Sequence, residues 1–74
     1  MGEMNNKRAT WAQEAMEAVP AFSEMLAPEE GGPYTAVKDL LCDLMHFCDR
    51  EGLEFDEALD AARDLYEGEV ADDE

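Results

Sequence analysis

Residues 53–68, LEFDEALDAARDLYEG, sort onto two sides of an α-helix almost without exception. At about 100° per residue, Ala58, Leu59, Ala62, Leu65 and Tyr66 fall in one sector, and Glu57, Asp60, Asp64 and Glu67 fall in another at i, i+3, i+7 and i+10. One side can pack; the other is a row of carboxylates. Asp56 is the expected N-cap, since its side chain can accept from an unpaired amide of the first turn. Like charges three or four residues apart on a helix repel by about 0.2 to 0.5 kcal/mol per pair, and only Arg63 lies near enough to offset the row. A chain that keeps a destabilising row has a use for it, and the use that charge suggests is a basic partner.

Upstream, Gly32-Pro33 reads as an N-cap and first helical position, where proline's missing amide removes nothing, and Gly52 reads as the glycine just past the end of the same helix. Between them, Val37, Leu40, Leu41, Leu44, Met45, Phe47 and Cys48 cover roughly 160° of the helix, with Asp39, Asp43, His46 and Arg50 opposite. So broad an apolar face predicts the central core helix, with Leu41 and Leu44 in the middle of it. Leu53 to Phe55 is a short connection whose apolar residues should tuck under the turn.

Ala27 to Pro33, APEEGGP, is the clearest boundary in the chain and reads as an interhelical loop. Before it, Thr10-x-x-Gln13 has the form of a capping box. Trp11, Ala15, Ala18, Val19, Phe22 and Leu26 share one sector of the helix it would open, with Trp11 as the expected core anchor. Pro20 either kinks one helix over about residues 11–26 or starts a second after a break, and the kinked helix is the expectation. Residues 1–9 lack apolar periodicity and read as a flexible lead-in, and residues 69–74, EVADDE, as a disordered acidic tail. The expected organisation is therefore an all-α, three-helix domain over residues 10–68.

Seventy-four residues support at most one small core, at a size where a partner or a dimer often helps. Twenty Asp and Glu against five Lys and Arg set the net charge at −15. Residues 1–38 hold six acids and three bases, net −3, while residues 39–74 hold fourteen acids and two bases, net −12, so the acidity is concentrated. Such a charge disfavours nucleic acids and anionic membranes as ligands and steers the chain toward cationic surfaces. No signal peptide, myristoylation motif or apolar run of membrane-spanning length is present, which predicts a cytoplasmic protein. Cys42 and Cys48 lie about 9 Å apart along a helix axis at 1.5 Å per residue, too far for an intrahelical bridge, and are expected as free thiols.

The principal candidate site is the acidic surface: Glu57, Asp60, Asp64 and Glu67 on the last helix and Asp39 and Asp43 on the one before it, with Glu14, Glu17 and Glu24 on the first. Carboxylates at these spacings rise about 4.5 to 6 Å per step, lines of negative charge that resemble a nucleic-acid backbone. A solvated face, or a proteome adapted to high salt, would produce the same composition. Cys42 and His46, one turn apart near Asp39 and Asp43, could begin a zinc site but lack the further Cys or His ligands that structural zinc needs. The same pair as nucleophile and base lacks an identifiable orienting group or oxyanion donor. Residues 49–60 mimic an EF-hand loop only in acidity, since Glu54 stands where the loop needs glycine and Asp60 where it needs Glu. No cofactor, metal or enzymatic activity is expected.

The segment Asp39 to Tyr66, DLLCDLMHFCDREGLEFDEALDAARDLY, resembles those of small acidic helical proteins encoded by phages and mobile elements, and the whole chain is similar in size, charge and build to the anti-CRISPR proteins, several of which are DNA mimics. The resemblance is one of type and carries no signature residue. It implies a non-enzymatic inhibitor, in the host cytoplasm, whose partner is a Cascade-type surveillance complex with a basic channel for target DNA. The bland N-terminal half departs from it. The alternative expectation is an acidic helical adaptor, in dimeric form or not, that binds through an apolar groove.

Overall fold

The computed structural model describes residues 2–72. Among them are four α-helices, a 3-10 turn and no strand: α1 spans Glu3–Glu17, α2 Pro20–Met25, the 3-10 turn Pro28–Glu30, α3 Gly32–Glu51 and α4 Phe55–Asp72. The all-α expectation holds, and one helix more than expected is present.

Two of the differences lie at the N-terminus. α1 starts at Glu3 rather than at Thr10, so residues 3–9 are helical. Nothing in that stretch breaks a helix, and its far side is anchored: Arg8 Nε lies 3.1 Å from Glu69 Oε2, and the Asn5 side-chain amide donates to the Glu69 carbonyl at 3.2 Å. Thr10 is consequently mid-helix, its hydroxyl donating back to the Asn6 carbonyl at 3.1 Å, and Gln13 reaches Glu17 instead of closing a capping box. At Pro20 the chain breaks instead of kinking. Val19, held extended at φ −108° and ψ 115° by the following proline ring, caps a new helix through its carbonyl, which accepts from the Phe22 and Ser23 amides at 3.0 and 2.9 Å.

The boundaries of α3 match the sequence reading closely. Two glycines with positive φ, Gly31 at 113° and Gly32 at 78°, turn the chain into it, and Pro33 sits in its first turn. Gly52, at φ 70°, closes it in a Schellman arrangement: the Leu53 amide donates to the Cys48 carbonyl at 2.8 Å and the Gly52 amide to the Asp49 carbonyl at 3.4 Å. α4 begins two residues early, at Phe55, which places Asp56 in its first turn, where an acid still complements the helix dipole, rather than at the cap. α4 also continues past Gly68 to Asp72, so Glu69 to Asp72 of the expected tail are helical, whereas Asp73 and Glu74 lie outside the described residues.

The core is small and off-centre. Met16, Phe22 and Ala36 form it, one residue each from α1, α2 and α3, with Met25, Leu26 and Leu40 packed around them. Ala36 is fully buried because its small side chain lets α2 approach α3 closely. Trp11, expected as an anchor, is 55% exposed. The larger correction concerns α3: Val37, Leu41, Leu44, Met45 and Phe47 are all exposed, Leu41 by 43% and Leu44 by 40%, and only Cys48 of the predicted face is buried. Leu53 is exposed too, while Phe55 is half-buried.

Topology explains this. α2 covers only the flank of α3 that carries Ala36 and Leu40, and α4 leaves α3 at the Gly52 turn to bring its far end back to the start of α1 through Glu69. The helices thus close into a flat frame of 35 × 32 × 17 Å. Its radius of gyration, 13.9 Å, exceeds the roughly 11 Å of a compact chain of this length.

Candidate functional site

The apolar sector of α4 does not pack as the sequence predicts: Ala58, Leu59, Ala62, Leu65 and Tyr66 are all exposed, because the helix meets the rest of the chain near its two ends. Phe55 and Val70 are half-buried, whereas Glu57, Asp60, Asp64 and Glu67 are all exposed. The row rises about 15 Å from first to last at 1.5 Å per residue, or one charge per roughly 5 Å. A single strand of B-DNA carries one charge per about 3.4 Å of axis. One flank of α4 therefore approaches the linear charge density of one strand, though not of a duplex.

Among the described residues no ion pair neutralises this row. The ion pairs among the described residues are Arg8 with Glu69 and Arg50 with Glu51, and the latter arginine also lies over the Phe47 ring, 5.2 Å from its centroid. Arg63, the one base within reach in sequence, makes no ion pair with it among the described residues.

Asp39 and Asp43 stand apart from the row. At about 100° per residue around α3 they lie within roughly 60° of Ala36, on the flank toward α2, and roughly 140 to 180° from Cys48. Asp39 is half-buried and Asp43 exposed, and no hydrogen bond or ion pair among the described residues links either to α4. Of the acids of α1 and α2, Glu14, Glu17 and Glu24 are exposed, each on a different helical turn, and Glu17 accepts from Gln13.

Cys42 and His46 are both exposed on α3, and Cys48 is a buried free thiol. No group of three or more His, Cys, Asp or Glu side chains among the described residues is placed to hold a metal ion. No helix among them is long and apolar enough to cross a membrane.

Sequence reasoning passed over one surface by assigning it to the core. Tyr34, Val37, Lys38, Leu41, Cys42 and Met45 line a shallow, almost wholly apolar groove along α3. Its signal was present in the i, i+3, i+7, i+11 spacing of Tyr34, Val37, Leu41 and Met45. The same spacing suits an internal seam and an external one. No protein-family model, curated protein or solved structure matches the chain.

Proposed function

We propose that this protein is a non-enzymatic inhibitor that binds the cationic, nucleic-acid-binding surface of another protein through the α4 row, as a partial mimic of DNA. The observation that carries this reading is that Glu57, Asp60, Asp64 and Glu67 are exposed together on one flank with no ion-pair partner among the described residues. The helix holds the attachment points of the four carboxylates at a regular spacing, and a surface of Lys and Arg built to grip phosphates meets charges at a comparable axial spacing. Long-range attraction from a net charge of −15 speeds the encounter. The partner class that fits best is a Cascade-type CRISPR surveillance complex, with the chain occupying the channel that receives target DNA. Asp39 and Asp43 add to the field from a separate flank.

The test is displacement of fluorescently labelled duplex target from such a complex, read by anisotropy at several salt concentrations. The unaltered chain should displace DNA, and displacement should weaken steeply as salt rises. The variant carrying Glu57→Gln, Asp60→Asn, Asp64→Asn and Glu67→Gln should lose most of its potency. A control carrying Glu3→Gln, Asp72→Asn, Asp73→Asn and Glu74→Gln removes equal charge and should lose little. No displacement by the unaltered chain would refute the partner class, and equal losses in the two variants would refute recognition by this flank. The alternative reading, an adaptor docking through an apolar groove, has the uncovered α3 surface in its favour. Its binding would change little with salt.

A further inference from the structure

We propose that a second copy of this chain covers the apolar stripe of α3, pairing the two α3 helices across a two-fold axis with Leu41 nearest the axis. This inference is independent of the DNA-mimic reading, which concerns α4.

The first argument is one of area. The chain exposes 5839 Å². A folded monomer of 8.3 kDa is expected to expose about 4,600 Å². The excess is about 1,250 Å² per copy, so two copies that each hid it would bury about 2,500 Å² in total, within the range of obligate homodimers and above that of weak contacts. The excess belongs to the whole open frame, and the α3 stripe, with Tyr34, Val37, Leu41, Leu44 and Met45 exposed along one helix, is its longest continuous apolar part.

The second argument concerns what the stripe is made of. Tyr34, Val37, Leu41 and Leu44 fall at the a and d positions of successive heptads, the pattern by which one helix packs along another. Tyr34 is 78% exposed, so its ring has little cover within its own chain, and tyrosine is a residue enriched at interfaces. Spacing of this kind is self-complementary, which a two-fold interface requires, because each copy must present the same patch.

The third is electrostatic. A chain of net charge −15 repels its own copy, so any self-contact must avoid the acids. The groove does so: of its six lining residues, Lys38 is the one that is charged, and no carboxylate is among them. Asp39 and Asp43 lie about 160° around α3 from Leu41, on its far side. The same composition argues against a cationic amphipathic helix as the occupant, since the stripe presents nothing that would select positive charge.

Two measurements test the proposal. In light scattering coupled to gel filtration, the unaltered chain should run at twice 8.3 kDa. Val37→Asp and Met45→Lys, which place opposite charges at two points of the stripe, should each run as monomers with the helical circular-dichroism signal retained, while Leu65→Asp on α4 should remain dimeric. Added salt should tighten the dimer, opposite in sign to its effect on a charge-driven partner. The second measurement needs no core-disturbing change. A nitroxide on Asp43→Cys in a Cys42→Ser chain, on the exposed far side of α3 and outside the groove, is mixed as labelled chain with unlabelled, nitrogen-15-enriched chain. It should broaden the amide signals of residues 34–45 in the enriched copy. A monomeric unaltered chain, a dimer that survives both stripe variants, or broadening confined to other residues would overturn the proposal. In the first case the stripe would be left to a different protein.

Discussion

Phe22 is the side chain on which the small core depends, and its replacement by alanine separates this architecture from a central-helix one. It sits on the six-residue α2, 8% exposed, between Met16 of α1 and the fully buried Ala36 of α3. Truncating a buried Phe costs about 3 to 5 kcal/mol through lost transfer energy and the cavity left behind. Ala36 has no flexible side chain with which to fill that cavity, so the upper half of the range applies. A chain of this length is expected to be stable by about 4 to 11 kcal/mol. Phe22→Ala therefore removes between a third and all of the stability, and it also frees α2, which is too short to persist alone. The assay is urea unfolding followed by circular dichroism at fixed protein concentration, comparing midpoints at constant slope. A loss below about 1 kcal/mol would mean that the Met16, Phe22 and Ala36 cluster is not what holds α1 and α2 onto α3.

Two glycines of opposite character offer a second check. Gly68 is inside α4 with open space where a Cβ would be, so Gly68→Ala should stabilise by about 0.5 to 1 kcal/mol, measured as a raised urea midpoint. Gly31→Ala should destabilise by more than that, because at φ 113° the added Cβ is strained and collides with Thr35. A third prediction is that neutralising Glu57, Asp60, Asp64 and Glu67 together raises stability by about 0.6 to 1.5 kcal/mol at low salt, one repulsion of 0.2 to 0.5 for each of three neighbouring pairs. The gain should shrink when melting is repeated near 0.5 M salt, since screening already relieves the unaltered chain. A gain that is the same at both ionic strengths would point to helix propensity instead of charge.

What could be read from the sequence was local. The bounds of α3 follow from Gly32-Pro33 and Gly52, since each encodes a backbone geometry that few other residues adopt, and the structure agrees to within a residue. The exposure of the four acids of α4 follows from periodicity alone, whereas the exposure of Leu59, Leu65 and Tyr66 on its apolar side does not. The concentration of charge in residues 39–74 is likewise a property of the chain before it folds.

What needed the tertiary structure were the features that depend on residues distant in sequence. α1 extends back to Glu3 because Asn5 and Arg8 find Glu69, some sixty residues away, and no local pattern announces such a partner. The break at Pro20 and the kink were both compatible with the apolar spacing, and the burial of Phe22 against Ala36 goes with the break. The apolar side of α3 is the plainest case. Val37, Leu41, Leu44 and Met45 specify by their period that one side of the helix should be dry, and that much holds for any partner. Whether the cover is another helix of the same chain is set by where the turn at Gly52 sends α4. It sends α4 toward α1, leaving that side of α3 open.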